Sequence, residues 1–186
     1  MEWTEDELKQ SFAERVDNDD WDDWELFRLA LEAEKSRTVP NFDQLLCLQQ
    51  LPEITPFPHQ IDTAKKVLND LHGRAILADE VGLGKTIEAG LVLKEYLIRG
   101  LIRKVLILVP SSLVIQWVRE LNQKFKINAW AQKNVYSWTD YDIVVSSIDT
   151  AKRDNHRDIV LGEEWDMVIV DEAHKLKNKK SKNWEL

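Results

Sequence analysis

The sequence predicts an α/β fold: a parallel sheet sandwiched by helices, preceded by an acidic, mainly helical N-terminal segment. Three observations carry this. Residues 74–78, 104–109, 142–147 and 166–171 are short apolar runs rich in Ile, Val and Leu, the pattern of strands buried on both faces. Amphipathic helical repeats lie between them, which favours parallel strands joined by crossovers. The first run passes through a glycine-containing turn directly into one of those helices.

Bulk properties set the frame for these elements. The 186 residues, 44% of them hydrophobic, suit one compact domain with a sizeable core and set aside disordered and fibrous classes. No apolar run approaches the ~20 residues that cross a bilayer, so no membrane partner is expected. The acidic N-terminus has no apolar signal core. A single cysteine, Cys47, excludes an internal disulfide framework and a cysteine-rich zinc site, and a reducing, cytoplasmic compartment is expected. Cys47 lies in an apolar stretch and reads as a core residue.

The net charge of −8 is local. Residues 1–37 hold thirteen acidic and five basic residues, and the remainder is balanced at twenty of each. The whole-chain charge therefore says little against a nucleic-acid partner. Prolines 40 and 58 mark the divisions: 1–37 an acidic N-terminal segment, 38–57 a linker or helix, and 58–186 the body. In the first segment Asp19 or Asp20 suits a helix cap, and Trp21, Trp24, Phe27 and Leu31 form one apolar stripe. Docking of that stripe on the same chain is favoured over docking on a partner. The acidic run 17–23 fails the calcium-loop pattern, because Asp22 stands where the glycine is needed.

Within the body, the helix after the first run carries Ala89, Val92, Leu93, Tyr96 and Leu97 on one face and stops at Gly100. After the second run, Leu113, Val114, Trp117, Val118, Leu121 and Phe125 repeat the pattern behind a cap expected at Ser111 and Ser112.

The turn between the first run and its helix reads Asp79-Glu80-Val81-Gly82-Leu83-Gly84-Lys85-Thr86. Gly82 and Gly84 admit backbone angles and close approaches that side chains block. Amide hydrogens at the following helix start, aided by the helix dipole, then face a phosphate group. Lys85 suits the β- and γ-phosphates, and Thr86 offers a hydroxyl to magnesium. Asp79 stands where the general pattern has its first glycine. The last run ends in Asp171-Glu172-Ala173-His174, which puts two carboxylates at the carboxyl end of a strand, where open parallel sheets bind ligands. Asp171 suits magnesium, and Glu172 suits activation of an attacking water. ATP and Mg²⁺ are the cofactors these two motifs call for.

With these motifs in order, the chain resembles the Swi/Snf family of helicase-like, double-stranded-DNA translocases, and most of all its bacterial, RNA-polymerase-associated branch. The resemblance runs over about residues 56–180 and rests on Pro58-His59-Gln60, on 77–90, on 106–110 with Gln116-Trp117, and on 168–174. It implies a RecA-like ATP-binding lobe, and in this family an aspartate does occupy the position of Asp79. It implies that Gln60 reads the adenine edge and that Pro110, Ser111 and Ser112 touch DNA phosphates. Ser146, Ser147 and Thr150 match a second backbone-contacting motif more loosely, with plain helix capping as the competing reading. His174 matches a residue linking the ATP site to a downstream Ser-Ala-Thr motif.

The resemblance also implies that the lobe is incomplete, since the Ser-Ala-Thr strand and the second lobe with its arginine fingers lie beyond Leu186. Little or no turnover is therefore expected of this chain alone. Duplex DNA and an RNA polymerase or other nucleoprotein partner are implied for the parent protein, with a nucleoid location in a bacterial host. The competing reading is a non-hydrolytic nucleotide- or protein-binding module. The eight tryptophans and His59, His72 and His156 read mainly as packing or surface residues, and the lysines of 175–182 as a solvated tail or a DNA contact in equal measure.

Overall fold

The computed structural model describes residues 42–51, 54–78 and 84–176, together with Glu25, Arg28 and Leu29. The chain divides into two compact units, 1–41 and 42–186. In the first, the three described residues are helical, and the stripe expected at Trp21, Trp24, Phe27 and Leu31 lies outside the described residues. The loop residues Asp79, Glu80, Val81, Gly82 and Leu83, and the lysines beyond Lys175, also lie outside them.

In the second unit the elements run α1 (Pro58–Asn69), α2 (Lys85–Ile98), β1 (Val105–Val109), α3 (Val114–Gln123), β2 (Trp130–Ala131), α4 (Ser137–Asp140), β3 (Ile143–Ser147), α5 (Ile148–Ala151), α6 (Asp154–Gly162) and β4 (Met167–Val170). Short 3₁₀ turns at Leu46–Gln50, Ser111–Leu113 and Ala173–Leu176 complete the set. The sheet is parallel, in the order β2-β3-β1-β4. Leu106 pairs with Val144 on one side and Val168 on the other, and Val109 is level with Ser147.

Strand alternation sends successive side chains to opposite faces, and both faces are apolar. Val105, Ile107, Val109, Ile143 and Val145 join Leu91, Leu93, Trp117, Leu121 and Phe125 in the larger core. Leu106, Leu108 and Val144 join Trp138, Ile148, Ala151 and Val160 in the smaller one. This is the expected sheet between two helical layers. Two helical faces follow their predicted stripes. Trp117 and Leu121 of α3 are buried with Phe125 just beyond, and α2 buries Val92 and Leu93 along with Leu91. Gly100, at φ +65°, turns the chain after α2.

Two expectations are corrected, and one strand was missed. Residues 74–78 form no strand, and Ile76 is 88% exposed. No described strand lies beside this run, and an apolar segment without a hydrogen-bonding neighbour has no ladder to join. Ser111 and Ser112 do not cap α3. They open a 3₁₀ turn closed by the Leu113 N–H donating to the Pro110 carbonyl (2.8 Å), and neither end of that turn has a side-chain cap. The two-residue strand β2 was not predicted, being too short to show a period.

A buried carboxylate fastens the chain before α1 to α2. Glu95 accepts the backbone N–H groups of Leu46 (3.1 Å) and Cys47 (2.9 Å) and pairs with Arg99 at 2.7 Å. Burial works to raise its pKa, but the hydrogen bonds from Cys47, Arg99 and Leu46 outweigh it and the net direction is down. The same burial, reinforced by Glu95, pushes the Cys47 thiol up to about 12. Cys47 is thus a protonated core residue rather than a nucleophile.

Candidate active site

Because the strands are parallel, the residues that follow β1, β3 and β4 share the carboxyl edge of the sheet. Pro110 leaves β1, Ser147 ends β3 and Asp171 leaves β4. The sequence-predicted residues of the acidic and DNA-contacting motifs are therefore gathered on one edge, the position where open α/β sheets hold ligands.

Asp171 is fixed from three directions. Its N–H donates to the Leu108 carbonyl at 2.8 Å, extending the β1–β4 ladder by one bond. Its Oδ1 accepts the N–H of Glu172 at 2.9 Å, and its Oδ2 accepts the indole N–H of Trp117 at 3.1 Å. Glu172 then turns into the left-handed region, at φ +57°. A side chain there is strained, and such strain persists only where the surroundings hold it. The Glu172 carboxylate lies 3.0 Å from Nδ1 of His174. Both of those side chains are exposed. The two acids thus have separate surroundings: one pinned on the sheet, the other open to solvent beside an imidazole.

The second constellation surrounds the start of α2. Gly84 caps this helix at φ +84°, with Lys85 and Thr86 in its first turn. Glycine suits that backbone best, and a Cβ there would also strike the side-chain amide of Gln60. Gln60 is buried, and its Oε1 accepts the Phe57 N–H at 3.0 Å, closing the first turn of α1. Gln60 and Gly84 share a cleft of ≈ 280 Å³ with Ile54, Thr55, Pro56, Phe57, His59 and Ile87, and Phe57 stacks on His59 at 5.7 Å. The lining is largely apolar with one amide, a donor-and-acceptor group suited to the edge of a flat heterocycle. Glu88, one turn into α2, is fully buried.

The serine and threonine candidates divide. Ser111 and Ser112 are exposed at the sheet edge. Ser147 accepts the Thr150 N–H at 3.0 Å and donates its hydroxyl to Thr150 Oγ1 at 2.9 Å, so both hydroxyls serve the cap of α5. The Ser146 hydroxyl is buried against the Ser147 carbonyl.

Sequence reasoning read Trp117 as packing and did not mark Phe57. Apolar spacing reports burial but not where an indole N–H points. The only available signal was the place of Trp117 beside Gln116 in the motif.

The oxygen donors fit a hard divalent cation. A threonine hydroxyl and an aspartate carboxylate are oxygen donors of the kind magnesium takes. Among the described residues no group of three or more His, Cys, Asp or Glu forms a metal cage of its own. No described helix is long and apolar enough to cross a membrane.

Comparison with known proteins agrees with this architecture. A SWI2/SNF2 ATPase core from Sulfolobus solfataricus, solved in complex with dsDNA, superposes with a TM-score of 0.61 at 28% identity, over 71% of this chain and 29% of that one. An uncharacterized ATP-dependent helicase of Bacillus subtilis (strain 168), YqhH, is 59% identical over 177 residues, which are 95% of this chain and 32% of that protein. The chain thus spans about a third of the length of that relative. The SNF2-related domain matches residues 59–185, and the chain belongs to that family.

Proposed function

We propose that this chain is the ATP-binding part of a DNA-dependent ATPase that translocates on double-stranded DNA. The observation that carries the reading is the fixed Asp171 at the carboxyl edge of the sheet, followed by Glu172 in a left-handed turn. Lys85 and Thr86 in the first turn of α2 supply the complementary half. The relatives' descriptions as an ATP-dependent helicase and as a dsDNA-bound ATPase core support the same class.

In this reading the cleft beside Gln60 takes the adenine, with the Gln60 amide on its edge and Phe57 and Ile87 against its faces. Backbone N–H groups at the start of α2 and the Lys85 ammonium hold the phosphates, where the helix dipole favours negative charge. The sequence motif assigns Asp79, Gly82 and Leu83 to the same phosphate contacts. Thr86 and Asp171 hold magnesium, which when bound neutralises charge on the β- and γ-phosphates. Glu172 orients a water for in-line attack and accepts its proton. His174, 3.0 Å from Glu172, holds that carboxylate in place and relays its state onward. Pro110, Ser111 and Ser112 supply the described part of the DNA track, where exposed hydroxyls at the sheet edge suit phosphate oxygens. Ser147 and Thr150 serve the track through the shape of the capped turn. Ser146, with its hydroxyl buried, contributes packing. An RNA polymerase partner and a nucleoid location rest on the family resemblance.

Titration of the chain with a fluorescent ATP analogue tests the reading. Lys85→Ala removes a charge-assisted phosphate contact worth ~1.5–3 kcal/mol, a loss of roughly 10- to 100-fold in affinity. Glu172→Gln, which keeps the shape and removes the base, leaves binding unchanged. Equal affinity for Lys85→Ala and the unsubstituted chain overturns the assignment.

A further inference from the structure

Trp117 is 5% exposed, on the first turn of α3 and packed in the larger core. Its indole nitrogen is a donor only, and burying it requires an acceptor. Backbone carbonyls are the common partners for such groups, as in Trp165, whose indole donates to the Val160 carbonyl. Trp117 instead reaches across 54 residues of sequence to Asp171 Oδ2, the side chain assigned above to magnesium.

Three features make this bond more than a convenience of packing. The indole ring is held among core residues. The other oxygen of Asp171 is already engaged by the Glu172 N–H, so the indole bond completes the definition of the carboxylate plane. A carboxylate offers about four lone-pair directions, and two accepted bonds leave two for the cation or its waters. A rigid donor behind a metal-binding carboxylate is also the arrangement that orients metal ligands generally.

We propose that Trp117 is a positioning residue, whose indole N–H holds Asp171 in the orientation that receives magnesium. This rests on the reading of Asp171 as the magnesium carboxylate. Phenylalanine at this position fills most of the same volume but leaves Oδ2 to solvent, so the carboxylate turns about its χ angles.

The test uses the chain itself and reads binding rather than turnover. Magnesium is titrated at fixed fluorescent ATP analogue for the unsubstituted chain and Trp117→Phe, with urea unfolding of both alongside. Trp117→Phe raises the half-saturating magnesium concentration about tenfold, the scale of outer-shell substitutions. Affinity for the analogue without magnesium stays the same, which a general loss of structure would not allow. Equal half-saturation in the two proteins overturns the proposal.

Should Trp117→Phe unfold, the assigned indole N–H resonance of Trp117 in the unsubstituted chain decides. Adding magnesium at fixed ATP moves that signal, and Asp171→Ala moves it without any nucleotide. A signal indifferent to both changes overturns the proposal. Failure of the unsubstituted chain to bind the analogue at any magnesium level is a different result. It removes the nucleotide-site reading, and the magnesium role of Trp117 falls with it, whatever the indole signal does on Asp171→Ala.

Discussion

Residues 74–78 and β1 are both short apolar runs followed by a helix, yet the fold treats them in opposite ways. In β1 all five residues are buried, and β3 and β4 flank it in register. In 74–78 no strand forms and Ile76 stands in solvent, although Leu77 packs against the larger core. The two differ less in composition than in neighbours. A strand is a shared object: its amides and carbonyls are satisfied by adjacent chains, and its side chains by layers on both faces. β4 shows the intermediate case. It pairs with β1 on one side, no described strand covers its other side, and Val168 is half exposed.

The sharpest way to break this comparison is to truncate one isoleucine from each region. Ile107→Ala removes a fully buried side chain from β1 and should cost ~2–5 kcal/mol, because the close-packed core cannot refill the space. Ile76→Ala should stay within ~0.5 kcal/mol, as surface substitutions do. Urea unfolding curves measure both. A comparable loss at the two positions would mean that 74–78 lies in a paired, buried strand in solution, and the contrast between the regions would disappear.

That contrast also explains which parts of the fold the sequence made legible. β1, β3 and β4 were placed to within a residue or so, because fully buried strands are written as continuous apolar runs. The stripes on α2 and α3 were visible for the same reason at helical spacing. The acids after β4 and the Lys-Thr pair at the start of α2 stood out because each sits at a strand or helix end, the place its proposed role requires. Partnership was not legible in the residues themselves. Only the family resemblance, which implies a Ser-Ala-Thr strand between 74–78 and β4, pointed to a missing neighbour for 74–78; nothing in Trp130-Ala131 announces a two-residue pairing, and the serines before α3 look like a cap although the chain enters by a 3₁₀ turn. Glu95 is the same lesson with charge. It occupies a surface-type residue's place in the pattern and is buried because the backbone of Leu46 and Cys47 comes to it.

A second substitution sharpens the comparison at the helix between the two regions. Gly90 lies in the interior of α2 and faces the ring of Phe125, which is itself fully buried. Alanine favours a helix over glycine by up to ~1 kcal/mol, so Gly90→Ala would stabilise an isolated α2. In the fold the new methyl overlaps the ring, and overpacking of this kind costs ~1–3 kcal/mol. The net expectation is destabilisation by about 1 kcal/mol, read as a lowered urea midpoint. A raised midpoint would show that α2 is not clamped against Phe125.

The smallest effect expected is a dependence on pH confined to the sheet. His156 is buried in α6, where its Nδ1 accepts the Trp138 indole N–H at 2.9 Å and the two rings meet edge to face. Burial lowers its pKa below the ordinary value of 6.5, and the charge of Arg153 lowers it further. The folded state therefore prefers the neutral ring. Below about pH 6.5 the unfolded chain binds a proton that the folded chain resists, so stability rises with pH in that window. The contribution is complete above the unfolded pKa and is lost as pH falls from there through the lowered folded value. Glu95 and Asp166 also have lowered pKa values, but as carboxylates they withdraw their stability only below their ordinary values of 4.5 and 3.8. The histidine window thus stands apart from theirs. Trp138 packs with Leu106, Leu108 and Val144, so the loosening should be felt by β1 and β3 and not by 74–78. Hydrogen exchange between about pH 7 and pH 5.5, corrected for intrinsic rates, should show protection of Val105–Val109 declining in the unsubstituted chain. In His156→Gln, which keeps an acceptor for the indole and cannot titrate, protection should stay level across the same window. An equal decline in both proteins would assign the pH dependence to another group and leave His156 a packing residue only.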